Sequence, residues 1–205
     1  MRLFDLITKY SIKIFRRLER ICYYLIRKPL YKRYCFSDTI KSPILITPCF
    51  IELGEKVTIL YHARIQGVKR YNNNIYCPQI IIHNGVTIQQ NVHITCANFI
   101  EIGENTAIAA NVTITDINHP YTDINLPIER QDLEVKHVKI GCDCKIYNNA
   151  VILPGTELGK HVTIGANSVV SGIIPDYSVV VGSPAKIIKS YDFNLKQWVK
   201  INGYE

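Results

Sequence analysis

The 205-residue sequence predicts an all-β solenoid of stacked parallel strands, preceded by an amphipathic helix. Aliphatic residues recur at every sixth position over much of the chain, and a small residue follows most of them four positions later. Near the N-terminus the apolar residues recur instead every three or four positions, which is typical of a helix with one apolar face.

The six-residue period is clearest in the second half of the chain. Five aliphatic residues there keep strict spacing, and Val170 continues it: Ile140, Ile146, Ile152, Leu158 and Ile164. The same register appears in three earlier segments: Leu53, Ile59 and Ile65; Ile82, Ile88 and Ile94; Ile102, Ile108 and Ile114. A helix has a period of about 3.6 and a strand a period of about 2, so six indicates a short strand followed by a corner. Three such strands close one coil, and stacked coils bury a continuous aliphatic column.

The period is interrupted at 66–79, 95–101 and 115–137. Loops project where the repeat of a solenoid is interrupted, and functional residues are often found on such loops. We therefore predict a basic helical segment at 1–41, a solenoid at 42–188 with a projecting loop at 115–137, and a C-terminal tail at 189–205.

The net charge of +7 is concentrated at the N-terminus, where residues 1–41 hold eleven Lys or Arg and only three Asp or Glu. The seven cysteines are odd in number and irregularly spaced, without zinc-type spacing, and we expect no secretory signal ahead of them. Such a set indicates reduced thiols in a cytoplasmic protein. No apolar stretch of about 18 residues is present, so we expect no transmembrane helix.

Candidate chemistry lies in the loop 115–137, within the sequence TDINHP. A histidine side chain titrates near neutrality and can remove the proton of a hydroxyl group while that group attacks a carbonyl. His119 is therefore a candidate general base, and Asp116 or Asn118 could contact its second ring nitrogen and fix the tautomer. The alternative is that His119 is an ordinary solvated side chain of a surface loop.

Three sequence blocks together resemble the hexapeptide-repeat O-acetyltransferases. They are TDINHP, IGCDCKIYNNAVILPGTELGKHVTIGANSVVSGIIP and VVVGSPAKIIK, and the resemblance covers residues 80–190. With a tail of the form SYDFNLKQWVK, the sequence is most similar to the capsule and O-antigen acetyltransferases. The resemblance implies a left-handed parallel β-helix that transfers an acetyl group directly from acetyl-CoA to a hydroxyl of a sugar or polysaccharide precursor, without a metal.

The same resemblance assigns roles to individual residues. His119 matches the general base, Asn148 a position that contacts the pantetheine arm of CoA, and Ala166 one whose backbone lies along that arm. Lys186 and Lys189 match basic positions near the CoA phosphates, a pairing of charges that is physically reasonable, although lysines are also common on ordinary surfaces. A homotrimer with active sites shared between neighbouring subunits is also implied.

The N-terminal segment is predicted to form one long helix that ends before Pro29. Its apolar stripe is Leu3, Ile7, Tyr10, Ile14, Leu18, Ile21 and Leu25. Its other face is basic, so residues 1–28 are suited to peripheral contact with an anionic membrane, here the inner face of the cell membrane. The alternative is that the stripe packs against the solenoid or between subunits. We expect no nucleic acid partner, because nothing in the segment suggests base readout.

Three other functions are compatible with a six-residue solenoid. A gamma-class carbonic anhydrase requires three histidine ligands on zinc, but the H-x4-H pair is absent around His119, where Ile114 and Ile124 stand at that spacing. An N-acetyltransferase acting on an amino-sugar nucleotide would use the same donor. A non-catalytic scaffold is the third alternative, and TDINHP argues against it.

Overall fold

A computed structural model describes residues 11, 14, 15, 18, 21, 22, 24–35 and 37–201 of the protein. Most of these residues form a parallel β-helix, in which the chain passes repeatedly over three faces, A, B and C, in that order. Strands are numbered in chain order. Within the faces, each strand pairs in parallel with its equivalents in the coils before and after it.

The strands of the three faces are short. Face A contains Ile51–Leu53 (β3), Gln79–Ile82 (β8), Phe99–Ile102 (β11), Val138–Ile140 (β16), Glu157–Leu158 (β19) and Ile173–Ile174 (β22). Face B contains Thr39–Ile40 (β1), Thr58–Ile59 (β4), Thr87–Ile88 (β9), Ala107–Ile108 (β12), Lys145–Ile146 (β17), Thr163–Ile164 (β20) and Ser178–Gly182 (β23). Face C contains Leu45–Ile46 (β2), Arg64–Gly67 (β5), His93–Cys96 (β10), Thr113–Thr115 (β13), Val151–Ile152 (β18) and Val169–Val170 (β21).

Further strands and short helices are attached to this coil. Face B is extended antiparallel by Ala185–Asp192 (β24) and Gln197–Lys200 (β25). Two small hairpins lie outside the faces: Arg70–Tyr71 (β6) with Asn74–Ile75 (β7), and Ile117–Asn118 (β14) with Glu134–Val135 (β15). Short 3-10 helices cover Lys28–Leu30, Pro48–Phe50 and Ile128–Arg130.

The core is the aliphatic column that the six-residue period predicts. Ile94 of β10, for example, pairs with Ile65 of β5 on one side and with Ile114 of β13 on the other, and all three are fully buried. Each buried aliphatic side chain contributes roughly 1.5–3 kcal/mol relative to an exposed one. The small residues expected four positions later, such as Val112 and Ala150, are buried as well, where the chain turns between faces. The solenoid prediction is confirmed.

The three corners of the coil differ in content. Corner AB joins faces A and B, corner BC joins B and C, and corner CA joins C and A. Corner BC carries a ladder of four asparagines with left-handed backbone: Asn91, Asn111, Asn149 and Asn167. Successive side-chain amides are joined by hydrogen bonds of 3.1, 3.0 and 3.0 Å. Asparagine tolerates this backbone conformation better than most residues, so the ladder explains the repeated Asn at this corner.

The interruptions of the period have two different outcomes. At 66–79 and 115–137 the chain leaves the coil at corner CA and forms the hairpins β6–β7 and β14–β15. The third interruption, 95–101, is not a projecting loop, because β10 and β11 occupy all of it except Ala97 and Asn98.

The N-terminal segment is helical at residues 11, 14, 15, 18, 21, 22 and 24–27; residues 1–10 of the predicted helix lie outside the described part. Tyr31 and Tyr34 are buried against the first coil and close that end of the core. Among the described residues, no helix is long and apolar enough to cross a membrane. The predicted boundaries differ from the strand limits, since β1 begins at Thr39 and β24 continues through residues 188 and 189.

Candidate active site

Two insertions project from corner CA and contact each other. Insertion 68–78 follows β5 and insertion 116–137 follows β13. The side-chain amide of Asn72 donates hydrogen bonds to the carbonyl oxygens of Glu129, at 3.2 Å, and Gln131, at 3.3 Å. The hydroxyl of Tyr76 accepts one from the backbone N–H of Leu133 at 3.2 Å. The two insertions therefore form one unit beside the solenoid.

Asp116 anchors the start of insertion 116–137. Its carboxylate is fully buried and accepts hydrogen bonds from the backbone N–H groups of Ala97, Asn98 and Phe99 at 2.8, 2.7 and 2.9 Å. The thiol of Cys96 donates to the same carboxylate at 3.4 Å. Burial and the adjacent Asp116 charge raise the pKa of the Cys96 thiol, so the thiol keeps the proton that it donates.

The centre of this insertion is organised by a buried amide. The Gln131 side chain donates to the carbonyl oxygens of Asp123 and Leu126 at 2.9 and 3.2 Å, and accepts from the Asp123 N–H at 3.2 Å. These bonds close residues 123–131 into a compact turn that includes the 3-10 helix and Glu129. The turn fixes where Glu129 lies relative to the neighbouring insertion.

His119 lies in this insertion with its side chain 39% exposed. The Tyr71 ring packs edge-on against the imidazole, with centroids 5.3 Å apart and planes at 75°. The Tyr71 hydroxyl oxygen is 3.3 Å from Nδ1 of His119, and Oε2 of Glu129 is 3.9 Å from the same nitrogen. His119 is therefore accessible to a ligand while one ring nitrogen is held by a residue of the other insertion.

The predicted partners of His119 are placed elsewhere. Asp116 binds backbone N–H groups, as described above, and the Asn118 amide donates to Glu134 at 3.2 Å. Tyr71 and Glu129 take the position next to His119 instead. Tyr71 is 48 residues from His119 in the chain, and the contact depends on the docking of two insertions. In the sequence, the only indication of this role is that Tyr71 lies within an interruption of the six-residue period.

Three of the four residues predicted to bind the donor, Asn148, Ala166 and Lys186, lie at or near corner BC. Asn148 and Ala166 are both exposed and stand one coil apart, and the Asn148 carbonyl accepts a hydrogen bond from Asn167 at 3.0 Å. Lys186 pairs with Val181, which lies beside the end of β20, so its backbone is close to the same corner. Lys189 is farther along β24, opposite Val179.

His119 and the predicted donor residues Asn148 and Ala166 lie on different corners of one chain. The insertion that carries His119 leaves the coil at corner CA, whereas Asn148 and Ala166 lie at corner BC, and the strands of face C run between the two. One subunit alone therefore presents them at opposite edges of the same face.

A separate groove of about 640 Å³ runs along face A and corner AB. It contains the His83–Glu101 pair, joined at 2.8 Å, together with Lys139, Glu157 and Asp176, but none of the predicted site residues. Within the described part of the chain, no three His, Cys, Asp or Glu side chains are grouped to hold a metal ion.

Comparison with known proteins gives the class to which this architecture belongs. Residues 137–172 match the family model described as bacterial transferase hexapeptide (six repeats). The chain is 41% identical over 189 residues, 86% of its own length and 91% of the relative's, to the putative lipopolysaccharide biosynthesis O-acetyl transferase WbbJ of Escherichia coli. It belongs to the hexapeptide-repeat O-acetyltransferases, and it is an acyltransferase with the left-handed β-helix fold.

Solved structures share this fold at low sequence identity. AntD, an N-acyltransferase from Bacillus cereus in complex with dTDP and 3-hydroxybutyryl-CoA, is 16% identical with a TM-score of 0.64, over 83% of this chain and 88% of that one. The hexapeptide-repeat acetyltransferase VCA0836 from Vibrio cholerae, complexed with acetyl-CoA, is 20% identical with a TM-score of 0.55, over 82% and 76% of the two chains.

Proposed function

We propose that this protein transfers an acetyl group from acetyl-CoA to a hydroxyl group of a sugar or polysaccharide precursor, with His119 as the general base. The observation that carries the proposal is an accessible histidine, held at one ring nitrogen, on the projecting insertion of a family member. The name of the relative WbbJ supports a glycan acceptor, and the acetyl-CoA complex of VCA0836 supports the donor.

The reaction is a direct transfer. The acceptor oxygen attacks the thioester carbonyl carbon while its proton passes to His119, which gives a tetrahedral intermediate. The intermediate expels the CoA thiolate as the C–S bond breaks, and the imidazolium returns its proton to the sulfur. The products are an acetyl ester and free CoA, and the base should contribute roughly 10²–10⁴ in rate. Burial raises the pKa of the Cys96 and Cys144 thiols, so neither is suited to act as a nucleophile.

The separation of the two corners supports a site shared between subunits. Asn148, Ala166, Lys186 and Lys189 of one subunit would bind the donor, while His119 would come from a neighbour. In a homotrimer, each subunit would contribute its donor-binding edge at corner BC to one shared site and its His119 edge at corner CA to another. Light scattering at micromolar concentration should give about three times the chain mass of 23.4 kDa. A mass close to 23.4 kDa would contradict the shared site.

We further propose that the protein is cytoplasmic and that residues 1–28 contact the anionic inner face of the cell membrane, which would place it close to lipid-linked acceptors. Among the described residues of the helix, five apolar side chains are more than half exposed: Ile14, Phe15, Leu18, Leu25 and Ile26. The eleven basic residues of 1–41 complement an anionic surface.

Liposome co-sedimentation tests the membrane proposal. Burial of one leucine contributes roughly 1.5–3 kcal/mol, so Leu18→Glu should lower partitioning onto anionic vesicles at least about tenfold. Ile124→Glu, at an exposed position of insertion 116–137, is the matched control and should partition like the parent protein. If all three proteins partition equally, the stripe is covered by protein instead.

The enzymatic proposal is tested with acetyl-CoA and a panel of sugars, nucleotide sugars and oligosaccharides, with free CoA thiol monitored. His119→Ala should lose at least roughly 10² in kcat and keep the fold. His137→Ala, an exposed histidine at the other end of the same insertion, is the control and should stay active. AntD is named as an N-acyltransferase, so transfer only to amino sugars would favour that second function. Retention of more than about a tenth of kcat by His119→Ala would exclude His119 as the base.

A further inference from the structure

Within the described part of the chain, the Tyr71 hydroxyl has three polar neighbours, and they do not compete equally for its proton. The oxygen lies 2.8 Å from the carbonyl oxygen of Glu129 and 2.7 Å from the carboxylate oxygen of the same residue. The third neighbour, Nδ1 of His119, is farther away at 3.3 Å. Both Glu129 groups can only accept a hydrogen bond, whereas Nδ1 can donate or accept according to the tautomer.

A phenol has one proton, so its assignment decides the state of the imidazole. The two acceptors of Glu129 take that proton, and the hydrogen bond to the carboxylate raises the pKa of Tyr71, which keeps the phenol protonated. The lone pairs of the Tyr71 oxygen then remain for His119. Nδ1 can hydrogen-bond to them only if it carries its own proton.

We propose that Tyr71 is a positioning residue, oriented by Glu129, that fixes His119 as the tautomer with hydrogen on Nδ1 and so leaves the Nε2 lone pair as the proton acceptor. This role in transfer rests on the proposed function, in which His119 is the base. The assignment of the tautomer itself rests only on the contacts between the two insertions.

The arrangement also suits the protonated state. When Nε2 accepts a proton, Nδ1–H still donates to the Tyr71 oxygen, and no group has to rotate. The Glu129 carboxylate, 3.9 Å from Nδ1, is then an opposite charge beside the imidazolium. The edge-on Tyr71 ring limits rotation of the imidazole, and Asn72 holds the Glu129 backbone in place. These contacts place the orienting group of the base on a different insertion from the base.

Nitrogen-15 NMR of histidine-labelled full-length protein reads the tautomer directly. At a pH of about 8, where an ordinary imidazole is neutral, His119 should show a protonated Nδ1 and an unprotonated Nε2. Its signals are assigned by their loss in His119→Gln. In Tyr71→Phe the ring should shift toward the Nε2–H form that unconstrained histidine favours.

Tyr76→Phe is the matched control, because Tyr76 also bonds across the two insertions, through Leu133, without contacting His119 in the described structure. It should leave the tautomer unchanged. An Nε2–H form in the parent protein, or the same tautomer in Tyr71→Phe as in the parent, would overturn the proposal. So would an equal change in Tyr76→Phe, because the effect would then be general loosening of the insertions.

Kinetics separate this inference from the proposed function. Tyr71→Phe should lower kcat roughly tenfold with an unchanged KM for acetyl-CoA, a smaller loss than the 10²–10⁴ expected for removal of the base. If His119→Ala abolishes transfer while Tyr71→Phe keeps full kcat, the positioning role is wrong and the proposed function stands. If no acceptor is acetylated but the tautomer behaves as expected, the proposed function fails and the assignment of the tautomer stands.

Discussion

Replacing Asp116 by asparagine is expected to lower the free energy of unfolding by about 2–4 kcal/mol and to reduce transfer activity as well. Asparagine is nearly the same size as aspartate, so the substitution changes hydrogen bonding rather than packing. The new amide can keep an oxygen near Asn98 and Phe99, but its NH2 group then faces the N–H of Ala97, where the aspartate accepts at 2.8 Å.

The magnitude follows from the bonds that change. A hydrogen bond to a charged group contributes about 1.5–3 kcal/mol and a neutral one about 0.5–1.5 kcal/mol. Two bonds therefore weaken by about 1 kcal/mol each, and the third is replaced by two opposed donors, which costs a further 1–3 kcal/mol or so. The removal of a buried charge returns part of this loss, because the carboxylate must be desolvated in the folded protein.

Urea unfolding at neutral pH, at one fixed protein concentration, measures the change. The control is Asp123→Asn, the same substitution on the same insertion, at an exposed carboxylate that accepts from Asn125 at 2.9 Å. Its effect should stay within about 0.5 kcal/mol. If Asp116→Asn also stays within that limit, or if it abolishes transfer without any change in stability, the anchor interpretation is wrong and a direct role at His119 is favoured.

Three further substitutions test the fold and its pH dependence. Gly103→Ala should destabilise the protein by about 1–3 kcal/mol, because a Cβ there would lie 2.6 Å from the carbonyl carbon of Gly141; a melting temperature equal to the parent's would contradict this contact. Asn111→Ala should cost about 1–2 kcal/mol in urea unfolding, since its φ is 61°, and Asn111→Gly should recover part of the loss. Burial, with Arg64 nearby, lowers the pKa of His93 below its ordinary 6.5. The unfolded state therefore binds this proton more readily than the folded state does, so the free energy of unfolding decreases as the pH falls through the unfolded pKa. In His93→Gln, the free energy of unfolding measured in urea should depend less on pH between about pH 8 and 5.

The solenoid could be predicted from the sequence because each coil repeats one simple requirement. An inward aliphatic residue and a small corner residue must recur at fixed spacing, and Ile94, for example, is buried between its equivalents in the neighbouring coils. The short strands themselves carry little signal, since most are two to four residues long. The repetition across coils carries the information.

The candidate site could be predicted only in part, because the insertions do not repeat. The TDINHP sequence points to His119, but the carboxylate of Asp116 binds backbone N–H groups, which have no signature in a sequence. Tyr71 and Glu129 are distant from one another along the chain, and their contact depends on how two irregular loops dock. The roles of Asn148 and Lys186 remain predictions from family resemblance.

The short corner at Ala97 and Asn98 has a consequence for how this site can vary. On face C, β10 lies between β5 and β13, so the chain segments that carry Tyr71 and His119 start two strand spacings apart, about 10 Å, and meet across the turn between them. Any residues added at Ala97 or Asn98 would lie between the two insertions and push them apart. The two insertions can therefore vary in length on either side, whereas added residues in this turn would separate the Tyr71 hydroxyl from His119.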